Sequence, residues 1–175
     1  MLNSDRLHLR ALELDDADFM YDVENDTFAW KYSDTIAPIS RKILRDYALT
    51  SNADPFAAGQ LRLIISDNNS DAPVGIVDLY EVSHRHLRAF IGIYICNNFR
   101  NNGFATETLN LIEDYARNNL HLHQLGAKVE AGNSIAENLF VNCGYQLSGV
   151  LKDWLGSANG KFKDMKIFTK MLRSD

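Results

Sequence analysis

The feature that most restricts the fold of this chain is an apolar strand that leads through a glycine-containing turn into an amphipathic helix. Residues 87–96 are mostly apolar, as expected for a strand buried on both faces. The turn is Arg100-Asn101-Asn102-Gly103-Phe104-Ala105-Thr106, and the apolar residues of 104–115 then recur on one face of a helix. Another strand is predicted around 125–129. A strand, helix, strand unit buries its apolar faces only in a sheet that helices cover.

Shorter patterns predict the other elements. Alternating apolar residues indicate half-buried strands, and a capping residue before apolar residues at helical spacing indicates a helix. Strands are predicted at about 7–10, 61–65, 74–82, 87–96, 125–129, 146–155 and 161–171. Helices are predicted at about 16–23 after Asp15 and Asp16, at 40–49 after Ser40, at 104–115, and at 133–143 between Asn133 and Gly144. Ser83-His84-Arg85-His86 and Asn159-Gly160 are predicted hairpin turns.

The composition favours one globular domain and disfavours several classes of partner. With 175 residues, 46% of them hydrophobic, the chain can bury one substantial core, and we predict a single domain over 1–175. The net charge of -5 disfavours nucleic acid, which proteins bind through clustered Lys and Arg. No run approaches the roughly 20 apolar residues of a membrane span, and residues 1–6 lack the features of a signal peptide. We therefore predict a cytoplasmic protein without a nucleic-acid or membrane partner.

The turn before the long helix has the chemistry of an anion site. The first N–H groups of a helix have no intrahelical partner and carry the positive end of its dipole, so they bind phosphate groups. Gly103 and Ala105 leave these amides accessible, and Arg100 can add a charge-assisted contact. The three glycines of a dinucleotide-binding turn are absent. From this segment alone, an ordinary strand-to-helix turn is an equal alternative.

The turn resembles the coenzyme A pyrophosphate loop of the GCN5-related N-acetyltransferase (GNAT) superfamily, whose pattern is Gln or Arg, two residues, Gly, one residue, and Gly or Ala. Further segments are similar to the branch that contains ribosomal-protein N-terminal acetyltransferases and spermidine acetyltransferases. The resemblance covers essentially the whole chain and implies an α+β fold of three layers, with four helices around a mixed, mostly antiparallel sheet of about seven strands. The segments that carry it are 7–10, 88–93, 133–145 and 160–164, and, for the spermidine enzymes, 77–86 and 99–106.

The resemblance also implies where acetyl-CoA, the co-substrate of the superfamily, is bound. The backbone of one strand pairs with the pantetheine arm, the turn holds the pyrophosphate, and the next helix approaches the cofactor. A free N–H near Tyr94 could stabilise the oxyanion that forms during acetyl transfer. Asn133 can also be a plain N-cap, and the two roles are compatible. The implied cofactor-binding residues are Ile93, Tyr94, Ile95, Arg100, Asn101, Asn102, Gly103, Phe104, Ala105, Thr106, Asn133 and Phe140.

Phe140 departs from the pattern of the superfamily. Many relatives carry at this place a tyrosine that protonates the departing thiolate, and phenylalanine has no proton to give. Phe140 can also simply pack in the core. Cys143, on the same helix face, is expected to be a small buried hydrophobe rather than a nucleophile.

The acceptor amine must lose a proton before it attacks, so a carboxylate or an ordered water is expected near it. Glu81 is the first candidate for this base because it matches an acid of the spermidine enzymes near their acceptor. An exposed surface charge beside His84 and Arg85 is an equally good interpretation of Glu81.

The acceptor pocket is predicted in the irregular segment 24–39. Its acids can attract a cation and its aromatic residues can line a pocket, although aromatic clusters more often pack in a core and acidic balance also serves solubility. The candidate substrate-binding residues are Glu24, Asp26, Asp34 and Trp30, with Phe28 and Tyr32 beside them and Glu81 as the base. Three positions that are acidic in the polyamine enzymes are Thr35, Ile36 and Phe90 here, which weakens the prediction of polyamine specificity.

Two pairs of histidines have the spacing of metal ligands on a strand. Neither His84 with His86 nor His121 with His123 has an evident third ligand, and histidines in turns are more often exposed or hydrogen-bonded. We therefore predict no metal site.

Two functional hypotheses remain from the sequence. The first is an enzyme that transfers acetyl from acetyl-CoA to a primary amine by direct attack in a ternary complex, since no Ser or Cys has the neighbours that activate a nucleophile. Its acceptor is a polyamine-like small molecule or a protein N-terminus. The second is a coenzyme A-binding sensor with little turnover, which only Phe140 supports. A homo-oligomer is compatible with both hypotheses.

Overall fold

The computed structural model describes residues 2–27, 30, 35–51, 54–156 and 160–172. Strands and helices alternate along these residues much as the sequence predicts. The strands are β1 Leu7–Ala11, β2 Gln60–Asp67, β3 Pro73–Ser83, β4 Arg88–Ile95, β5 Gln124–Glu130, β6 Gln146–Gly156 and β7 Phe162–Met171. The helices are α1 Ala17–Glu24, α2 Arg41–Thr50, α3 Pro55–Ala58, α4 Phe104–Asn118 and α5 Ser134–Asn142. The seven predicted strands and four predicted helices are confirmed.

The strands form one mixed sheet in the order β1-β2-β3-β4-β5-β7-β6. All neighbours are antiparallel except β4 and β5, which run parallel. Their ladder pairs Arg88–Phe90 with Gln124–Gly126 and ends there. Residues 91–95 of β4 therefore continue beyond the ladder, with their backbone on that side available to another partner.

Two hydrophobic cores lie on opposite faces of the sheet. Buried residues of α4 and α5 belong to the first core, and buried residues of α1 and α2 belong to the second. Successive residues of β2 show the division, because Leu63 and Ile65 join the first core and Ile64 joins the second. The chain thus has the predicted three layers of helices, sheet and helices.

The predicted helix caps are partly confirmed. Ser40 Oγ accepts the Ile43 N–H at 3.3 Å, and Asn133 Oδ1 accepts the Ala136 N–H at 3.2 Å. Asp16 stands at the N-cap of α1 without a capping hydrogen bond from its side chain. Its carboxylate, which is largely buried, instead accepts two hydrogen bonds of 2.7 Å from the Arg10 guanidinium. The sequence correctly placed the helix start but not this ion pair.

The short helix α3 is absent from the sequence prediction. Asp54 accepts the N–H groups of Phe56 and Ala57 at 2.9 and 3.3 Å, Pro55 occupies the first turn, and Gly59 ends the helix at φ 69°. An N-cap acid, a proline and a closing glycine are a helix signature. Four residues are too few for a periodic pattern, so the signature alone indicates this helix.

Gly75 of β3 lies against the backbone of β4, and its replacement is expected to displace the part of β4 that continues past the ladder with β5. A Cβ atom at Gly75 would lie 2.2 Å from the carbonyl oxygen of Tyr94, which is part of the backbone and cannot turn aside. We expect Gly75→Ala to cost about 2–3 kcal/mol of unfolding free energy, because overpacking forces the backbone to shift. Gly149→Ala is the matched control, since a Cβ there meets nothing within 4 Å. Equal melting temperatures for the two variants in thermal denaturation would contradict this.

No helix formed by the described part of the chain is both long enough and apolar enough to cross a membrane.

Candidate active site

A cavity of about 780 Å³ lies beside the part of β4 that continues past its ladder with β5. β4, the turn that follows it, the start of α4 and one face of α5 contribute to its lining. The end of α1 and the middle of β2 and β3 also contribute. This volume is within the range of pockets that bind small molecules and cofactors. Elements from both sides of the sheet therefore meet in one cleft.

The backbone of β4 is available to a ligand at Ile93 and Ile95. Cys96 donates its N–H to Val74 O of β3 at 2.9 Å. Backbone groups alternate between the two sides of an antiparallel strand, so the Tyr94 N–H also points toward β3. The N–H groups of Ile93 and Ile95 point the other way, into the gap that opens where β4 continues past its ladder with β5. The accessible N–H groups near Tyr94 are therefore those of Ile93 and Ile95, and not that of Tyr94 itself.

The turn before α4 presents unpaired amides to the cavity. Asn101 and Gly103 have left-handed φ angles of 62° and 80°, and Gly103 is an N-cap whose helix receives no capping hydrogen bond from a side chain. Phe104, Ala105 and Thr106 form the first helical turn and line the cavity. Their N–H groups lie at the positive end of a helix of 15 residues, which is the arrangement that binds a phosphate.

Arg100 joins the end of β4 to this turn. Its Nε donates to Ile95 O at 2.9 Å, and its guanidinium lies 5.6 Å from the centre of the Tyr94 ring. The side chain lines the cavity, so it adds a positive charge between the gap and the start of α4.

A cluster of three charged residues lines another part of the cavity: Glu24 at the end of α1, Arg62 of β2 and Asp78 of β3. Arg62 binds Asp78 through Nε and Nη2 at 2.8 Å each, and it binds Glu24 through Nη1 at 2.5 Å. The two carboxylates raise the pKa of Arg62 well above its ordinary value even though burial alone would lower it. The cluster therefore carries one net negative charge. We name it the acidic cluster.

Of these three residues, only Glu24 is among the substrate-binding residues predicted from the sequence. Arg62 and Asp78 are charges within strands that are otherwise largely apolar, at positions that the register places opposite each other. Charged residues are rarely buried without a partner, so two such charges in neighbouring strands were a usable signal. Gly92 of β4 is the next residue along the same row, and because it has no side chain the space beside Asp78 stays open.

The hydroxyl of Tyr94 is a second polar group in the cavity. It donates a hydrogen bond to Asp26 Oδ2 at 3.1 Å. Partial burial and the carboxylate of Asp26 raise the pKa of Tyr94 to about 12, so the phenol is protonated at neutral pH. Asp26 was predicted as a substrate-binding acid; the structure places it behind Tyr94.

Glu81 lies outside the cavity, contrary to the prediction that it is near the acceptor. It sits at a bulge of β3 with φ 50°, and its carboxylate accepts a hydrogen bond of 2.5 Å from Lys128 Nζ. Its side chain is 53% exposed and does not contribute to the cavity lining. The alternative interpretation, a surface charge, fits this position. The bulge turns the residue away from the row that Asp78 occupies, and no sequence pattern indicated the bulge.

Phe140 is a core residue and does not line the cavity. It is 5% exposed and packs edge-on against the Tyr145 ring, with 5.1 Å between ring centres. The face of α5 that lines the cavity carries other side chains: Ile135, Ala136, Asn138, Leu139 and Asn142. This position fits the alternative that Phe140 simply packs.

The other predicted residues are distributed as follows. Trp30 lines the cavity and donates its ring N–H to Glu24 O at 2.7 Å. Asp34, Phe28 and Tyr32 are outside the described residues. Asn102 does not line the cavity; its carbonyl accepts a hydrogen bond from Arg6 at 3.0 Å. The predicted cofactor residues that do line it are Ile93, Tyr94, Ile95, Arg100, Asn101, Gly103, Phe104, Ala105, Thr106 and Asn133.

Residues 6–146 match the family model of the acetyltransferase (GNAT) domain. The chain belongs to this GNAT acetyltransferase family. An uncharacterized N-acetyltransferase of Bacillus licheniformis, p20, is 28% identical over 98% of this chain and 96% of its own length. The spermidine N(1)-acetyltransferase of Escherichia coli is 25% identical over 86% of this chain and 78% of its own.

Solved structures give the same result. The spermidine N-acetyltransferase of Vibrio cholerae in complex with CoA and spermine has a TM-score of 0.81, with 25% identity over 97% of each chain. A structure of that enzyme as a dodecamer has a TM-score of 0.80 at 25% identity, over 97% of this chain and 95% of the other. The present protein is accordingly an acyl-CoA-dependent N-acetyltransferase, with acetyl-CoA as its co-substrate.

The cleft fits acetyl-CoA. The uncapped amides at the start of α4 suit its pyrophosphate, and the backbone groups of β4 that face away from β3, such as the Ile95 N–H, suit the amide groups of its pantetheine arm. Both features face one cavity, which Tyr94 also lines.

Proposed function

We propose that this acetyltransferase acts on a primary amine of a small, polyamine-like cation. The observation that carries the proposal is the acidic cluster, which lies in the same cavity as the start of α4. Its net negative charge attracts an ammonium group, and Asp26 behind Tyr94 adds a further carboxylate nearby. The names of the Escherichia coli and Vibrio cholerae relatives specify spermidine, which supports the same class of acceptor.

We assign the removal of the amine proton to Tyr94 and Asp26. Tyr94 Oη already donates its own proton to Asp26, so its lone pair is free to accept a hydrogen bond from the amine. A proton that leaves the nitrogen can pass through this hydroxyl to the carboxylate and then to water. Bound acetyl-CoA supplies the activated acetyl group. The new C–N bond forms as the C–S bond breaks, and the thiolate takes its proton from solvent.

We assign the acetyl carbonyl oxygen to the N–H group of Ile93, which lies farther along β4 from the turn 100–106 than the Ile95 N–H does. This N–H projects from a strand fixed on its other side by β3, so it needs no rearrangement to donate. Its contribution depends on backbone geometry alone, which explains why an isoleucine can stand at this place.

Tyr94→Phe is expected to lower kcat about 100-fold, the low end of the usual contribution of an acid–base group. The substitution removes only the hydroxyl at the cavity and leaves the ring in place, so the melting temperature should change little. Tyr115→Phe on α4 is the matched control, because Tyr115 does not line the cavity. A kcat within twofold of the parent would show that another group takes the proton.

The acceptor is tested by a panel that contains spermidine, spermine, a diamine, an aminoglycoside and a short peptide with a free N-terminus. Each is incubated with the protein and acetyl-CoA, and the products are identified by mass spectrometry. We expect a single acetyl addition and the highest kcat/KM among the polyamines, because the acidic cluster and Asp26 together attract a molecule with several ammonium groups more strongly than one with a single positive charge.

The same panel decides between the alternatives. Acetylation of the peptide alone would assign the enzyme to protein N-termini and overturn the polyamine proposal. CoA release without any acetylated amine, or binding without turnover for every amine, would favour the sensor hypothesis.

We also propose that the protein forms a homo-oligomer in the cytoplasm. The β6–β7 hairpin exposes several large apolar side chains, and exposed apolar patches mark interaction sites. They are Leu147, Val150, Trp154, Phe162 and Met171.

A further inference from the structure

We propose that the amino-terminal segment Ser4–Arg6 is part of the coenzyme A site: Arg6 is a positioning residue that holds the turn 100–106 in its anion-binding conformation. This inference concerns the donor half of the cleft and does not depend on the identity of the acceptor. Neither Ser4 nor Arg6 lines the cavity, so the segment acts through the turn and not on the cofactor directly.

Arg6 contacts both the turn 100–106 and the first turn of α4. Its Nη1 donates to the carbonyl of Asn102 at 3.0 Å, and its Nε donates to Glu107 Oε2 at 2.8 Å, with Nη2 on the same oxygen. Its guanidinium also lies 4.8 Å from the centre of the Phe104 ring. Ser4 Oγ donates to the other oxygen of Glu107 at 2.6 Å. A segment about a hundred residues away in sequence thus fixes the turn and the first turn of α4.

The turn needs a partner outside itself because its conformation is locally unfavourable. Asn101 and Gly103 both have positive φ angles, and Asn101, which carries a side chain, adopts its angle at a cost. Asn102, between them, offers its carbonyl to Arg6. One charge-assisted hydrogen bond therefore stabilises the peptide group between Asn102 and Gly103.

Arg6 also compensates an unfavourable charge. Glu107 is an acid in the first turn of α4, where it competes with a phosphate for the positive end of the helix. Burial alone would raise the pKa of Glu107, but the hydrogen bonds from Ser4 and Arg6 lower it, so the carboxylate is ionised and paired. Without Arg6 this negative charge would repel a pyrophosphate bound at the start of α4.

The test compares Arg6→Met and Arg6→Lys with Arg117→Met. Arg117 lies at the other end of α4 and bonds Leu172 O and Asp114, so it controls for a general weakening of this helix. Calorimetry measures the Kd for CoA, and kinetics compare acetyl-CoA with S-acetylpantetheine, which lacks the pyrophosphate and the nucleotide. Thermal denaturation is recorded for every variant.

We expect Arg6→Met to raise the Kd for CoA and the KM for acetyl-CoA about tenfold, the effect of one lost charge-assisted contact, with kcat nearly unchanged. Activity with S-acetylpantetheine should stay at the parent level, and Arg6→Lys should recover part of the CoA affinity because it restores the charge. An unchanged Kd for CoA would overturn the proposal. An equal loss with both donors would also overturn it, since Arg6 would then support only the fold. If Arg6→Met does not fold, Arg6→Lys is judged by the same comparison of donors.

Discussion

Gly103→Glu is expected to abolish CoA binding while the protein remains folded. Gly103 is the N-cap of α4 at φ 80°, beside the amides that we assign to the pyrophosphate. A carboxylate there would occupy the anion site and repel the phosphates, and about 100-fold or more in affinity should be lost. Its Cβ would lie 3.5 Å from Arg6 Nη2, so the new acid can also draw Arg6 away from Glu107. Both effects act against the cofactor.

Gly103→Asn is the matched control for this substitution. Asparagine tolerates the left-handed conformation better than most residues and carries no charge, so it separates backbone strain from repulsion. We expect Gly103→Asn to keep measurable CoA affinity by calorimetry and Gly103→Glu to show none, with melting temperatures close to each other. Tight CoA binding by folded Gly103→Glu would show that the pyrophosphate lies elsewhere.

Arg62→Met is expected to have the largest effect on stability. It removes the cation that both Glu24 and Asp78 contact and leaves two partly buried carboxylates facing each other. Breaking a buried ion pair on one side usually costs about 3 kcal/mol or more. Because the end of α1 is held to β2 through this cluster, the KM for the amine should rise more than the KM for acetyl-CoA.

The surface pair of Arg41 and Asp18 provides the control for Arg62. Arg41 is exposed, so Arg41→Met should change neither the melting temperature nor the two KM values appreciably. Chemical denaturation with both variants measures the difference. A stability of Arg62→Met equal to that of Arg41→Met would mean that the acidic cluster is solvated rather than buried.

The order of the elements was predictable because it depends on local patterns. Alternation along residues 61–65, and the helical spacing after Gly103, arise from burial of one face and are visible in a short stretch of sequence. Helix α3 was not predicted, because four residues are too few to show a helical periodicity of apolar residues. The β3 bulge at Glu81 gave no signal either, and it decides which way that carboxylate points.

The part of the cleft that we assign to acetyl-CoA was open to prediction for a related reason. The turn 100–106 is one continuous segment, and its proposed role depends on backbone amides, so Gly103 and Ala105 are readable directly from the sequence. The acceptor half is assembled from α1, β2, β3 and β4, so the partnership of Arg62 with Glu24, or of Tyr94 with Asp26, exists only after the sheet has formed. The same holds for Arg6 and Glu107.

Direct transfer of acetyl from acetyl-CoA to a primary amine in this cleft is tested best with isotopically labelled acetyl-CoA. The protein is mixed with the labelled donor and spermidine, the reaction is quenched during turnover, and the masses of the amine and of the intact protein are both measured by mass spectrometry. We expect one labelled acetyl group on an amine nitrogen and none on the protein, since no activated nucleophile is assigned to the cleft. A labelled protein that passes its acetyl group to the amine, or CoA that is bound but never released, would contradict it.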